Sequence, residues 1–207
     1  MRKTTIEDWL TDLASERPAP GGGAAAGMNA ATGAALVSMV CNLTIGKPKF
    51  AEHEPVMREA LAEAERLRAE ALGLAEDDAE AFSGVVAAYK LPKATDEEKA
   101  ARSAAIQAGL AEAAEVPLAA AKVAAQVIRL SGRILEGSNP NVLSDVAVAA
   151  SSAKSALESA ALNVDINLVS IKDAEVRERL ASALNEALQA KVQAEAVMQT
   201  VAKRIRA

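Results

Sequence analysis

From Pro18 to Gly46 the chain runs 29 residues without a charged side chain, and the run opens on Pro18-Ala19-Pro20-Gly21-Gly22-Gly23 before passing into an Ala/Gly-rich segment. Its length would suit a bilayer span, but Ala, Gly, Ser, Thr and two Asn gain little from lipid, so a buried helix is the expectation. Within it Gly23, Gly27, Ala30, Ala31, Ala34 and Ala35 make a smooth side on which a second backbone can approach closely. Three glycines at the helix start also remove the side chains that would fence off the free N–H groups. That leaves a donor-rich end suited to an anion or a planar polar ligand. A merely flexible helix start is the alternative reading of the same residues.

Alanine dominates the rest of the 207 residues, and aromatics make up 2 %. Long helices packed at close range follow, in a single all-α domain over 1–207 built as a multihelical up-and-down bundle. Two helices apolar almost all round are hard to bury in one copy of this size, so an intimate homodimer that sandwiches them is expected. The net charge of -5 argues against nucleic acid as the main partner. Any anionic ligand must be met locally, and two small basic clusters exist, Lys47 with Lys49 and Lys90 with Lys93; solvated end-capping lysines are the other reading.

One cysteine, Cys41, and one histidine, His53, leave no Cys/His zinc site and no internal disulfide, so no metal is expected. Cys41 reads as a small buried hydrophobe and His53 as part of an exposed helix start. The N-terminus lacks the apolar run of a signal peptide, which points to the cytoplasm and to no membrane association.

Thr4 or Thr5 caps a first helix with Ile6, Trp9, Leu10 and Leu13 on one face. A second helix spans about Gly23 to Leu43, and a third about Pro55 to Lys90 with a kink near Gly73 or Gly84. Thr95 and Glu98 form a capping box for a fourth helix through about Ala114. Pro117 opens or kinks the next, which reaches about Leu135. Asn139 and Pro140 start a nearly uncharged helix to about Val164, and a charged one covers about Ala174 to Arg206.

Three polar features interrupt these helices. Asp78 and Phe82 are four apart on one face, where burial raises a carboxyl pKa toward the range useful for proton transfer. Asn139, Ser144 and Asp145 stand at a helix start among valines, where an unpaired carboxylate is costly. Asn163 and Asn167 share a helical face and present amides to a heterocycle. Structural hydrogen bonding is the competing account of each.

Taken in order, Pro20-Gly21-Gly22-Gly23, Asn42-Leu43-Thr44-Ile45-Gly46-Lys47, Asp78-Ala79-Glu80-Ala81-Phe82, Leu91-Pro92-Lys93, Val116-Pro117-Leu118, Gly137 to Asn141 with Ser144-Asp145, and Asn163 to Asn167 resemble the formiminotransferase-cyclodeaminase family. The resemblance is to its cyclodeaminase domain and to the stand-alone methenyltetrahydrofolate cyclohydrolases. It implies an all-helical homodimer with a folate held in a cleft lined by the glycine loop and the polar helix positions. No tightly bound cofactor is implied, and the catalytic acid/base is the aspartate matching Asp78. Bifunctional members carry an acidic pair two apart there, of which this chain has Glu76 in the first place and retains Asp78. Asp145 is implied as second acid or as orienter, and Lys93 or Lys47 as the group that binds the glutamate tail or the developing oxyanion. The resemblance ranks cyclohydrolysis first and cyclodeamination of 5-formiminotetrahydrofolate second; a helical dimer that binds folate or acts as an assembly scaffold without turnover is the reading of a different class.

Overall fold

A computed structural model describes residues 2–207, and among them seven α-helices and two 3-10 turns account for nearly all regular structure, with no strand. The helices are α1 (Ile6–Leu13), α2 (Gly22–Asn42), α3 (Glu54–Tyr89), α4 (Asp96–Ile134), α5 (Leu143–Leu168), α6 (Ala174–Leu188) and α7 (Ala190–Arg206). The 3-10 turns cover Pro48–His53 and Pro140–Val142.

The uncharged run is the central helix. α2 packs on α3, α4 and α5, and it does so through missing side chains. A Cβ at Gly27 would stand 2.8 Å from the Ala75 Cβ and 2.9 Å from the Ala71 carbonyl oxygen of α3, and one at Gly33 would stand 3.0 Å from the Ala149 carbonyl oxygen of α5. Alanine on the facing helices completes the fit: Ala60, Ala64 and Ala71 on α3, and Ala149, Ala153 and Ala160 on α5, are fully buried. Although α2 has the length and apolarity of a membrane span, it is mostly buried by its neighbours. Cys41 is fully buried in it, and burial pushes its thiol up to about 11.

Side-chain caps set the helix starts. The Thr5 hydroxyl accepts from Asp8 N–H at 3.0 Å. Thr95 and Glu98 close the capping box, the Thr95 oxygen accepting from Glu98 N–H and the Glu98 carboxylate from Thr95 N–H, each at 3.2 Å. Asp173 accepts from Glu175 and Val176 to begin α6.

Four boundaries depart from the sequence expectation. α3 passes unbroken through Gly73 and Gly84. α4 continues through Pro117, so Ala114 and Leu135 lie in or beside one helix rather than two. α5 begins after a 3-10 turn at Pro140 and extends past Val164 to Leu168, while the C-terminal segment divides at Gln189 into α6 and α7, with no Gly or Pro to mark the break. On α1, Trp9 is buried but Ile6 is 76 % exposed.

Candidate active site

Gly23 and Gly27 lie one turn apart on α2, as Ala71, Ala75 and Asp78 lie on successive turns of α3, and the two helices run antiparallel with these stripes in contact. The small-residue seam therefore ends by delivering Asp78 to the first turn of α2. A Cβ at Gly23 would fall 1.9 Å from Asp78 Oδ1 and 2.4 Å from its Cγ, so the carboxylate occupies the space a side chain would take. Ala24 N–H donates to Asp78 Oδ2 at 3.2 Å.

Two influences act on this carboxyl in opposite directions. Burial raises its pKa above the ordinary aspartate value, and the Ala24 N–H, which binds the ionised form better, pulls it down; burial is the larger effect.

Asp78 opens into a cavity of about 440 Å³, within the range of small-molecule sites. One side is Pro18, Ala19 and Gly21–Gly23. α3 supplies Asp78, Ala79, Ala81, Phe82 and Val85, α4 supplies Leu110, Ala113 and Pro117, and α5 with its following turn supplies Asn163, Ile166, Asn167 and Ser170. Among the described residues, this lining carries one ionisable side chain, that of Asp78.

Several acceptors stand around it, beside the first-turn N–H groups of α2 at Gly22 and Gly23. Asn163 Nδ2 donates to the Ser159 carbonyl and Asn167 Nδ2 to the Asn163 carbonyl, each at 2.8 Å, which leaves both Oδ1 atoms for a ligand. Pro117 has no N–H to give to the Ala113 carbonyl one turn back, and both residues line the cavity. Negative charge with amide and carbonyl oxygens suits a cationic heterocycle edged with N–H groups.

The sequence-predicted residues divide between two ends of the molecule. Gly21, Gly22, Gly23, Asp78, Asn163 and Asn167 converge on the cavity. Pro20 does not: it faces the other side of its loop and lines a smaller hollow with Trp9 and Ala75. Asn139, Ser144, Asp145 and Lys47 lie at the opposite end, because α2 and α5 are antiparallel, with Gly22 beside Asn163 and Asn139 bonded to the end of α2. Asp145 is separated from Asn163 by about 27 Å of helix rise.

Asn139 is held by three hydrogen bonds: its Nδ2 donates to the Leu43 carbonyl, its Oδ1 accepts from Asn141 N–H, and its own N–H donates to the Thr44 hydroxyl, each at 3.1 Å. Within the chain none of these four residues lines the cleft with Asp78. His53 is at that far end too, partly buried against the Gly137 backbone rather than exposed. Lys93 is exposed in the loop after α3 and does not line the Asp78 cavity. Sequence reasoning missed Pro18, Ala19, Val85 and Ser170, apolar or small wall positions that no spacing rule marks.

The formiminotransferase-cyclodeaminase family model matches residues 5–186. Methenyltetrahydrofolate cyclohydrolase of Methylorubrum extorquens is 51 % identical over 192 residues, covering 88 % of this chain and 92 % of that protein. Formimidoyltransferase-cyclodeaminase of Sus scrofa is 37 % identical over 88 % of this chain, which spans 34 % of the pig protein. Among solved structures, formiminotetrahydrofolate cyclodeaminase from Thermotoga maritima superposes with a TM-score of 0.84 at 30 % identity, covering 98 % of this chain and 96 % of that one. With the family model matched over most of its length and a relative of equal extent at that identity, this chain belongs to the formiminotransferase-cyclodeaminase family.

Proposed function

We propose that the chain hydrolyses 5,10-methenyltetrahydrofolate to 10-formyltetrahydrofolate, with Asp78 as the catalytic acid/base. The observation that carries this reading is the lone carboxylate in an otherwise uncharged cavity. The substrate is an amidinium cation, its charge shared over N5, the one-carbon bridge and N10, and it is already electrophilic. A carboxylate beside the bridge stabilises that cation and orients a water molecule against its carbon.

Asp78 takes a proton as the water oxygen bonds to carbon, giving a tetrahedral adduct. It then returns the proton to N5 as the carbon–N5 bond breaks; the hydroxyl proton leaves to solvent and the formyl group stays on N10. The balance is cation plus water to neutral product plus one proton. The Oδ1 atoms of Asn163 and Asn167 accept from the N–H edge of the pterin. Cyclodeamination passes through a related adduct with ammonia leaving, and the likeness to the Thermotoga maritima structure keeps it as the second reading; identity to the cyclohydrolase favours the first.

A second copy completes the assembly in this reading. The outer faces of α2 and α5 carry Met39, Val148, Leu162 and Ile166 with little charge between them, Leu162 being 70 % and Ile166 68 % exposed. A two-fold pairing that sets the start of one α5 beside the end of its mate brings Lys47 and Asp145 toward the other copy's acidic end, which carries Asp165 and Asp78. Twice the chain mass in sedimentation at micromolar concentration is the expected result; a stable monomer removes both the pairing and any role for Asp145 at the cleft.

Assay of both folates side by side tests the reaction: methenyltetrahydrofolate is consumed faster than 5-formiminotetrahydrofolate, and failure to consume either leaves a binding protein. The pH profile tests the residue. Asp78 must be ionised to act as base, so kcat/KM falls as pH drops through its raised pKa, at higher pH than an ordinary aspartate would give. Bound cation favours the ionised form, so the acid limb of kcat lies below that of kcat/KM.

A further inference from the structure

We infer that a second cavity, adjoining the first at Pro18 and Phe82, is the subsite for the anionic arm of the substrate, with Lys90 binding its carboxylate. This rests on the cyclohydrolase reading of the Asp78 cleft and extends it. The second cavity measures about 280 Å³ and is walled by Pro18, Phe82, Ser83, Val86, Ala87 and Lys90. Pro18 and Phe82 also line the first, so the two cavities adjoin along the Phe82 ring.

α3 orders the contacts. Asp78, Phe82, Val86 and Lys90 fall at intervals of four residues on neighbouring turns, the last as its C-cap, and the helix rises about 18 Å from the first to the last. A folate has the same order: the reacting carbon, then an aminobenzoyl ring, then glutamate carboxylates. With the amidinium at Asp78, the aminobenzoyl ring lies against Phe82, which is 46 % exposed and offers an aromatic face. The arm then points to the lysine.

Lys90 is the cation suited to receive it. Its side chain has no hydrogen bond or ion pair among the described residues. The neighbouring Arg102 is committed, its guanidinium donating twice to the Tyr89 carbonyl, at 3.2 and 3.0 Å, and lying 5.6 Å from the Tyr89 ring centroid. A positive group at this end also answers a deficiency of the first cavity, which has only a negative one. The two charges set the direction in which a ligand with a cationic head and an anionic tail lies down.

The experiment compares methenyltetrahydrofolate with methenyltetrahydropteroate, which keeps the pterin and the aminobenzoyl ring but lacks the glutamate, using the full chain. Lys90→Glu is expected to raise KM for the glutamate-bearing substrate about tenfold with kcat unchanged, and to leave the truncated substrate unaffected. Lys90→Arg is expected to restore KM to within about twofold of the original. An unchanged KM for methenyltetrahydrofolate in Lys90→Glu, with both substrates still turned over, overturns the subsite and leaves the Asp78 assignment standing. No turnover of either substrate by the unaltered chain overturns both.

Discussion

Asp78→Asn is expected to lower kcat by about 10³-fold while leaving the protein folded, the size of effect a positioned acid/base contributes. The amide is nearly isosteric and its Oδ1 can still accept the Ala24 N–H, so the contact between α2 and α3 persists. What it loses is the ability to accept and return a proton and the charge that stabilises the cation. Stability moves the opposite way from activity. Because burial holds the folded-state pKa of Asp78 above its unfolded value, the native chain binds this proton more tightly than the unfolded chain does. The contribution is fully present below the unfolded aspartate pKa and is lost as pH rises through the raised one. Asparagine carries no such loss, so the variant melts no lower than the unaltered protein at neutral pH, and any advantage shrinks in acid. Calorimetry at two pH values with initial-rate kinetics checks both halves; turnover within about tenfold of the original removes the catalytic role.

How far the sequence could be read depended on whether a feature was local. The helices follow from caps and composition that act within a few residues, and the central position of α2 follows from a run in which nothing demands water. The partial burial of Asp78 was legible for the same reason: an acid followed one turn later by Phe82 is a local pattern on one helix. The grouping of Asp145 with it was not. The Gly triplet and the Ser144-Asp145 pair both stand near helix starts, and only the antiparallel course of α2 and α5 shows that such starts lie at opposite ends of the bundle. Asn163, near the end of α5, meets Gly22 instead. Lysines show a finer limit. Lys90 and Lys93 bracket the same Leu-Pro pair, yet the first is held at the end of α3 where a cavity reaches it, and the second stands in the loop beyond. Three residues of sequence separation hide that difference, because the helix direction at its last turn decides which side chain faces the cleft. The division of the C-terminal segment at Gln189 has no local marker at all.

Gly23→Ala tests whether the triplet is there for flexibility or for contact. A flexible helix start would gain from alanine, since fewer unfolded conformations are lost on folding, by about 0.4–1 kcal/mol. Contact predicts the reverse. The added methyl falls 1.9 Å from Asp78 Oδ1, far inside van der Waals distance, so either the carboxylate swings away or α2 shifts. Moving the carboxylate breaks its bond to Ala24 and displaces the acid/base from the reacting carbon, and a misplacement of this kind costs about 10²-fold in rate. Shifting α2 disturbs the Gly27 and Gly33 seams and costs about 1–3 kcal/mol. Gly22→Ala provides the comparison one residue away, since its methyl meets Asn163 Nδ2 at 3.4 Å, an ordinary contact, and its effect is expected to be confined to KM through the amide proposed to bind the pterin. Gly84→Ala, in open space on α3, is expected to stabilise the chain and leave the kinetics alone. A kcat order in which Gly23 suffers far more than Gly22, and Gly84 not at all, follows only if the missing side chain at position 23 is the seat of the catalytic carboxylate; equal tolerance at 22 and 23 returns the triplet to its role as a flexible hinge.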